Sequence, residues 1–411
     1  MTELTPSWLA EPAVQRLLGA LAAAGIEARF VGGCVRDALL GAEEIGDLDL
    51  ATPARPETVM AALEAARIKA LPTGIAHGTV TAIVAPRAFE ITTLRRDVET
   101  DGRHAVVAFG ADWAEDAARR DFTINAIYLT PDGTIDDPVG GRADLAARRV
   151  RFVGEPAKRI AEDVLRILRY YRFEARFGLG PGDADARAAC RAATGKLPML
   201  SAERASRELL RLIAGPDPAR ALRMMEQDRV LAAILPEATR LDRLERLIPG
   251  EPAPQYDSSS RLMRRLAALI TVDRNGAAAI ASRLRLSASD RKCLIGLAAP
   301  WPVDPAALDS AQRLAIYRLG EQRYLDLVWL AAAENESLSE DRIADLLILA
   351  TTWKPPVFPL GGDDVTALGI MPGPRIGRLL AAVRRWWEEG DFAADRAACL
   401  ARLREIAEKD R

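Results

Sequence analysis

An α+β fold is predicted for this chain, with a small mixed β-sheet and helices first and an all-helical remainder after it. Three observations predict it. Short strand-like runs and glycine turns crowd the N-terminal part, helix-period apolar positions fill the rest, and the change of pattern near Gly154 is sharp. A chain of 411 residues exceeds one compact core and implies two or more packing units.

In order along the chain, residues 12–24 read as a helix with Val14, Leu17, Leu18 and Leu21 on one face. Strand-like runs follow at Glu27–Val31, Leu48–Ala51, Thr79–Val84 and Phe89–Leu94, with a Gly32-Gly33 turn and a helix opened by Pro56 between them. Helical periodicity then dominates Pro156–Phe177, Ala202–Ile213, Pro218–Ile234, Arg261–Ile270 and Ile376–Trp387. Leu247–Ser260 and Trp353–Asp364 read as linkers, since Pro and Ser in the first and Lys354-Pro355-Pro356 in the second bar a continuous helix.

Composition narrows the class. Hydrophobic residues make up 49% and charged residues 28%, and no charge-free apolar run of about 18 residues offers a membrane span. Met1-Thr2-Glu3-Leu4 is not a basic region leading into an apolar one, so the cytoplasm is the expected compartment. Cys34, Cys190, Cys293 and Cys399 share no metal-type spacing, and His77 and His104 are the two histidines; zinc sites and disulfide frameworks are not expected. The net charge of −2 does not mark a nucleic-acid binder, although the 56 basic residues lean heavily to arginine. Solvated helix faces account for that bias as well as phosphate contacts do.

Asp47-Leu48-Asp49-Leu50 alternates acid and apolar residues. On a strand both carboxylates share a face while the leucines enter the core. Such a pair can hold hard magnesium ions, which activate an attacking hydroxyl and neutralise a leaving pyrophosphate. Asp-x-Asp alone is a common surface pattern; its context adds weight. Upstream, Val31-Gly32-Gly33-Cys34-Val35-Arg36-Asp37 runs a strand into glycines and then a helix, which lets backbone N–H groups approach phosphate. Downstream, Phe89-Glu90-Ile91-Thr92 puts Glu90 opposite two core residues. A sheet that lays this strand beside Asp47 and Asp49 completes a trio of acids.

These segments resemble the nucleotidyltransferase superfamily, and within it the class II tRNA CCA-adding enzymes and bacterial poly(A) polymerases. The resemblance continues in order through Pro72–Thr81, Phe89–Arg95, Asp101-Gly102-Arg103-His104, Arg119–Ala126, Glu162–Arg169 and Ser201–Arg204. It is strong over roughly residues 28–215, with a weaker echo at Pro359–Pro374. It implies a catalytic head at 1–154, a base-recognition neck at 155–215, a helical body at 216–355 and a tRNA-binding tail at 356–411. It further implies Asp47 and Asp49 as ligands of two Mg²⁺ ions and Glu90 as third catalytic acid. Gly32, Gly33, Arg36, Arg120, Asp121, Asn125, Asp163, Arg166, Arg169 and Arg172 are implied in nucleotide binding, and Asp101, Gly102 and Arg103 in a flexible loop that switches from C to A. Partners implied are CTP, ATP and the tRNA acceptor arm, with no membrane and no obligate protein partner.

On a continuous helix Asp163 and Arg166 stand at i and i+3 and share a face. An ionised Asp only accepts hydrogen bonds and Arg only donates. Cytosine and adenine each offer an amino donor beside a ring-nitrogen acceptor, so this pair suits both, while uracil and guanine mismatch it. By the same geometry Arg172 lies nearly opposite Asp163, so Arg169 is expected nearer the pocket, with Arg172 supporting it or reaching phosphate.

His77 reads as a turn residue, since metal can activate the hydroxyl without a general base. Trp386-Trp387 reads as buried against a tail core more readily than as a stacking platform for RNA. The Asp101-Gly102-Arg103 loop favours full CCA addition over CC-only or A-only addition. The lack of a Gly-Arg-Arg-Phe-type basic segment disfavours a poly(A) polymerase, and the intact acids disfavour a non-catalytic RNA-binding relative.

Overall fold

The computed structural model describes residues 3–42, 45–100, 105–110, 112–251, 258–299, 304–335 and 337–409. Packing divides the chain into two compact units, Met1–Pro236 and Glu237–Arg411.

The first unit holds the α+β head. Helix α1 (Pro12–Ala23) buries Val14, Leu17, Leu18 and Leu21, the face its periodicity marks, and proline at its first position has no N–H to leave unsatisfied there. The strands are β1 (Arg29–Val31), β2 (Leu48–Thr52), β3 (Lys69–Gly74), β4 (Thr79–Val84), β5 (Arg87–Thr93), β8 (Tyr128–Leu129) and β9 (Ile135–Asp136). They form one mixed seven-stranded sheet in the order β3-β4-β5-β2-β1-β8-β9. Strands β2 and β5 run parallel, and the chain makes the required crossover through α3 (Pro56–Ala65), β3 and β4. A separate hairpin pairs β6 (Arg95–Thr100) with β7 (Ala105–Phe109). Helices α2 (Gly33–Leu39), α4 (Trp113–Ala118) and α5 (Gly141–Ala146) complete the head. Gly141, the first residue of α5, abuts a 3₁₀ turn at Thr123–Asn125 so closely that a Cβ there would overlap the Thr123 carbonyl.

Two expected helices are interrupted. Pro156–Phe177 is α6 (Pro156–Glu162) and α7 (Arg166–Phe177), with Asp163 extended at φ −150° and ψ 109° between them. The side chain causes the break: Asp163 Oδ1 accepts from the Leu165 N–H at 3.1 Å, a local bond that competes with the helical ladder. Apolar spacing carries on across the gap, so periodicity does not register it. Pro218–Ile234 likewise splits into α10 (Pro218–Gln227) and α11 (Val230–Ile234) at Arg229, which is left-handed at φ 61°. Helices α8 (Ala184–Ala193) and α9 (Ala202–Ile213) pack this part of the unit against α6 and α7.

The second unit is helical: α12 (Leu241–Gly250), α13 (Ser258–Leu269), α14 (Arg274–Arg283), α15 (Ala288–Leu297), α16 (Asp309–Leu319), α17 (Glu321–Glu334), α18 (Glu340–Thr352), α19 (Gly362–Thr366), α20 (Pro374–Glu389) and α21 (Arg396–Lys409). The first expected linker is shorter than read, since α12 runs through Pro249 to Gly250 before residues 252–257, which lie outside the description. The second has no regular element from Trp353 to Gly361 and ends at α19, which begins at Gly362, short of Asp364. Trp387 is 2% exposed and packs edge-on to Phe358 at 5.4 Å, so it belongs to a core and not to a stacking surface.

Candidate active site

The acid trio rests on the parallel pairing of β2 and β5. Leu48 pairs with Phe89 and Leu50 with Ile91, all four buried, and this register sets Asp49 against Glu90 on the other face. Asp47 lies one residue before β2 and is exposed, as is Glu90; Asp49 is half-buried. Burial, then Glu90 and Asp47, push the Asp49 carboxyl up to about 6, while Arg120 pulls it down. The three acids therefore share one electrostatic neighbourhood.

Among the described residues no three histidine, cysteine or acidic side chains are arranged to hold a metal ion. Magnesium in nucleotide sites keeps several waters and takes one or two protein carboxylates beside phosphate oxygens. The Asp47 and Asp49 pair, with an excess of negative charge, has the chemistry that donor set requires.

Between β1 and α2, Gly32 takes φ +79°, a conformation that costs a Cβ-bearing residue dearly. Helix α2 spans Gly33–Leu39, under two turns long, so a hold on phosphate here depends on close backbone approach and on side chains more than on a helix dipole. Arg36 is 6% exposed. It donates to Asn125 Oδ1 at 2.6 Å and to Asp37 at 2.8 Å, and its guanidinium lies 4.1 Å from the Phe177 ring centroid. Asn125 Nδ2 donates to Asp121 Oδ1 at 3.2 Å, and Asp121 Oδ2 accepts from Arg169 Nε at 2.8 Å. Arg36, Asn125, Asp121 and Arg169 thus form one chain of contacts from α2 to α7.

Arg120 lies beside both the acids and the glycine turn: a Cβ on Gly32 would stand 3.9 Å from its Nη1, and it acts electrostatically on Asp49. Its fixed partner is Asp116, at 3.0 Å.

Asp163 and Arg166 do not share a helix face, which corrects the geometry expected for them. Asp163 sits in the break, where its Oδ2 accepts from Arg204 Nη2 at 2.7 Å; Arg166 is the first residue of α7. A tight turn still joins them, with Arg166 N donating to the Asp163 carbonyl at 3.0 Å. Arg166 pairs with Glu162 and donates to the Arg159 carbonyl at 2.8 Å; Arg159 in turn donates to the Arg120 carbonyl at 2.9 Å. Arg172 pairs with the buried Glu208, 4.0 Å from Arg169 Nη1, so Arg169 and Arg172 converge on one carboxylate. Asp163 also contributes to the charge environment of Arg169.

Asp101, Gly102 and Arg103 lie outside the described residues. His77 is exposed at the end of a 3₁₀ turn before Gly78, and its carbonyl accepts from Arg95. Asp116 and Glu208 lie outside the motif segments, whereas Arg204 closes the segment Ser201–Arg204. Asp116 and Glu208 are 1% and 5% exposed, and the available signal was helical spacing: Asp116 precedes Arg119 and Arg120 by three and four residues.

Residues 28–151 match a poly A polymerase head domain, and residues 183–241 match a probable RNA and SrmB-binding site of polymerase A. The mitochondrial CCA tRNA nucleotidyltransferase 1 of Mus musculus is 34% identical over 92% of this chain and 86% of its own. A CCA-adding enzyme of Geobacillus stearothermophilus is 42% identical over 49% of each chain. The crystal structure of the Bacillus stearothermophilus CCA-adding enzyme in complex with CTP superposes with a TM-score of 0.78 at 30% identity, over 97% of this chain and 99% of that one. No helix among the described residues is long and apolar enough to cross a membrane. Sequence similarity across nearly the whole length, on the same fold, shows that the chain belongs to the CCA-adding tRNA nucleotidyltransferase family.

Proposed function

We propose that this enzyme builds or repairs the 3′-terminal CCA of tRNA from CTP and ATP without a nucleic-acid template. The register that sets Asp49 against Glu90, two residues from Asp47 and facing Arg120, carries the reading. Asp47 and Asp49 would hold magnesium, with two ions expected. Magnesium bound there supplies positive charge to the triphosphate and acidifies the attacking hydroxyl.

The chain's own residues do the rest. Gly32 and Gly33 let the triphosphate lie against backbone, and Arg120 and Arg36 hold its charge. Asp121 and Asn125, tied to Arg169, bound the sugar side of the pocket. Asp163 accepts the amino proton of cytosine or adenine and Arg166 donates to the adjacent ring nitrogen. Arg169 and Arg172, tethered by Glu208, support that turn, and Glu90 assists the two aspartates. Asp101, Gly102 and Arg103 serve the change from C to A. The head, neck, body and tail divide the work at 154, 215 and 355, with body and tail gripping the acceptor arm through its phosphates. The cytoplasm remains the proposed compartment, although the mouse relative is named as mitochondrial.

Purified protein incubated with magnesium, tRNA lacking CCA and each nucleotide singly tests the reading. CTP and ATP should be incorporated and UTP and GTP refused. Incorporation of UTP as efficient as that of CTP would refute the base-reading turn. Equal extension of an oligo(A) primer with ATP would make the enzyme a poly(A) polymerase instead.

A further inference from the structure

Asp116 takes no part in the reaction as proposed, yet it is 1% exposed, and donors from the two residues after α4 and from the sheet converge on it. Its Oδ1 accepts from Arg119 Nε at 2.8 Å and Nη2 at 2.5 Å. Its Oδ2 accepts from the Tyr128 hydroxyl at 2.7 Å and from Arg120 Nη2 at 3.0 Å and Nε at 3.2 Å.

The Nε–Nη2 edge of Arg120 is thus engaged with one buried carboxylate. A guanidinium is a rigid planar fork, so fixing one edge fixes the direction of the remaining nitrogen. That nitrogen, Nη1, lies 3.5 Å from the Asn125 carbonyl and 3.9 Å from where a Cβ on Gly32 would stand. Tyr128 belongs to β8, which pairs with β1, the strand that leads into the Gly32 turn. Its hydroxyl therefore ties the carboxylate to the sheet that carries the turn. A simple counter-ion would neutralise Arg120 without two nitrogens of one edge converging on a single oxygen, Oδ2, and without the phenolic anchor.

We propose that Asp116, held by Tyr128, is a positioning residue that aims the Nη1 end of Arg120 at a nucleoside triphosphate lying over the Gly32 turn. This rests on the reading of Arg120 as a triphosphate contact. Equilibrium binding of CTP and of CMP to the full chain tests it, using Asp116→Asn, Tyr128→Phe and Arg120→Ala. CMP keeps the α-phosphate but lacks the β- and γ-phosphates, where Arg120 would act. Asp116→Asn should weaken CTP about 10- to 100-fold and leave CMP within about twofold. Tyr128→Phe keeps its ring against Trp113 and should weaken CTP alone, by about threefold. Equal losses for CTP and CMP would reveal a merely structural role and overturn the proposal. So would unchanged CTP binding in both variants while Arg120→Ala loses it. An Arg120→Ala protein that binds CTP normally would overturn the triphosphate reading of Arg120 itself, and the proposal with it. Should Asp116→Asn fail to fold, Tyr128→Phe decides by the same comparison.

Discussion

At Asp49 the fold tolerates charge repulsion at a half-buried position. Its carboxyl is raised from 3.8 to about 6 by burial, Glu90 and Asp47, so the folded state binds that proton more tightly than the unfolded chain. Ionisation then opposes folding progressively between pH 4 and 6, and fully above that. Asp49→Asn in metal-free buffer should raise stability by about 3 kcal/mol above pH 6 and by almost nothing at pH 4. Melting temperatures measured across that range check the sign. The same variant should lose about 10³-fold in CTP incorporation, because the charge that disfavours folding is the charge a cation needs. Asp163→Asn tests the base-reading turn. An amide offers a donor as well as an acceptor, so discrimination of CTP over UTP should fall about 10²-fold in single-nucleotide assays.

Buried ion pairs lock the helices that follow the head. Asp228, at the end of α10, is 1% exposed. It accepts from Tyr171 on α7 at 2.8 Å, from Arg187 at 2.7 Å and from Arg191 at 2.6 Å on α8. Burial pushes its carboxyl up, but these donors outweigh burial and hold it below the ordinary aspartate range. Asp228→Ala would strand them and should destabilise the first unit by about 3–5 kcal/mol, read from urea unfolding. The wild-type contribution should fade as pH falls through the lowered value, since a depressed carboxyl stabilises only while ionised.

The elements also show what was legible beforehand. The residues of α1 and β4 were readable because period and burial coincide in them. Strand β3 was not: it contains Pro72, carries little β-branched sequence and lies at the sheet edge, half in solvent. Strands β8 and β9, two residues each, are too short to show a period. For the site, the alternation around Asp47 and Glu90 named the acids, but only pairing could join strands forty residues apart. The break at Asp163 was hidden because a side chain, not glycine or proline, makes it.

At the scale of the whole chain, each compact unit has its own apolar core. Val31, Ala51, Leu94 and Tyr128 belong to one in the head; Ile316, Tyr324 and Leu346 form another and Val365, Leu379 and Trp387 a third within the second unit. Separate cores imply separate cooperativity. Urea unfolding followed by far-ultraviolet circular dichroism should therefore show more than one transition, and one coincident transition by every probe would contradict this. The abutment of α5 on the Thr123–Asn125 turn reaches further than its place in the chain suggests. Residue 141 belongs to none of the motif segments, yet it lies against the Thr123 carbonyl that opens the turn carrying Asn125, and so forms the floor of that turn. Gly141→Ala should push that floor away and weaken CTP binding roughly tenfold while leaving the acids in place. Tolerance to mutation in this enzyme would then follow steric clearance as much as chemical role, with a silent-looking helix start as unforgiving as a ligand.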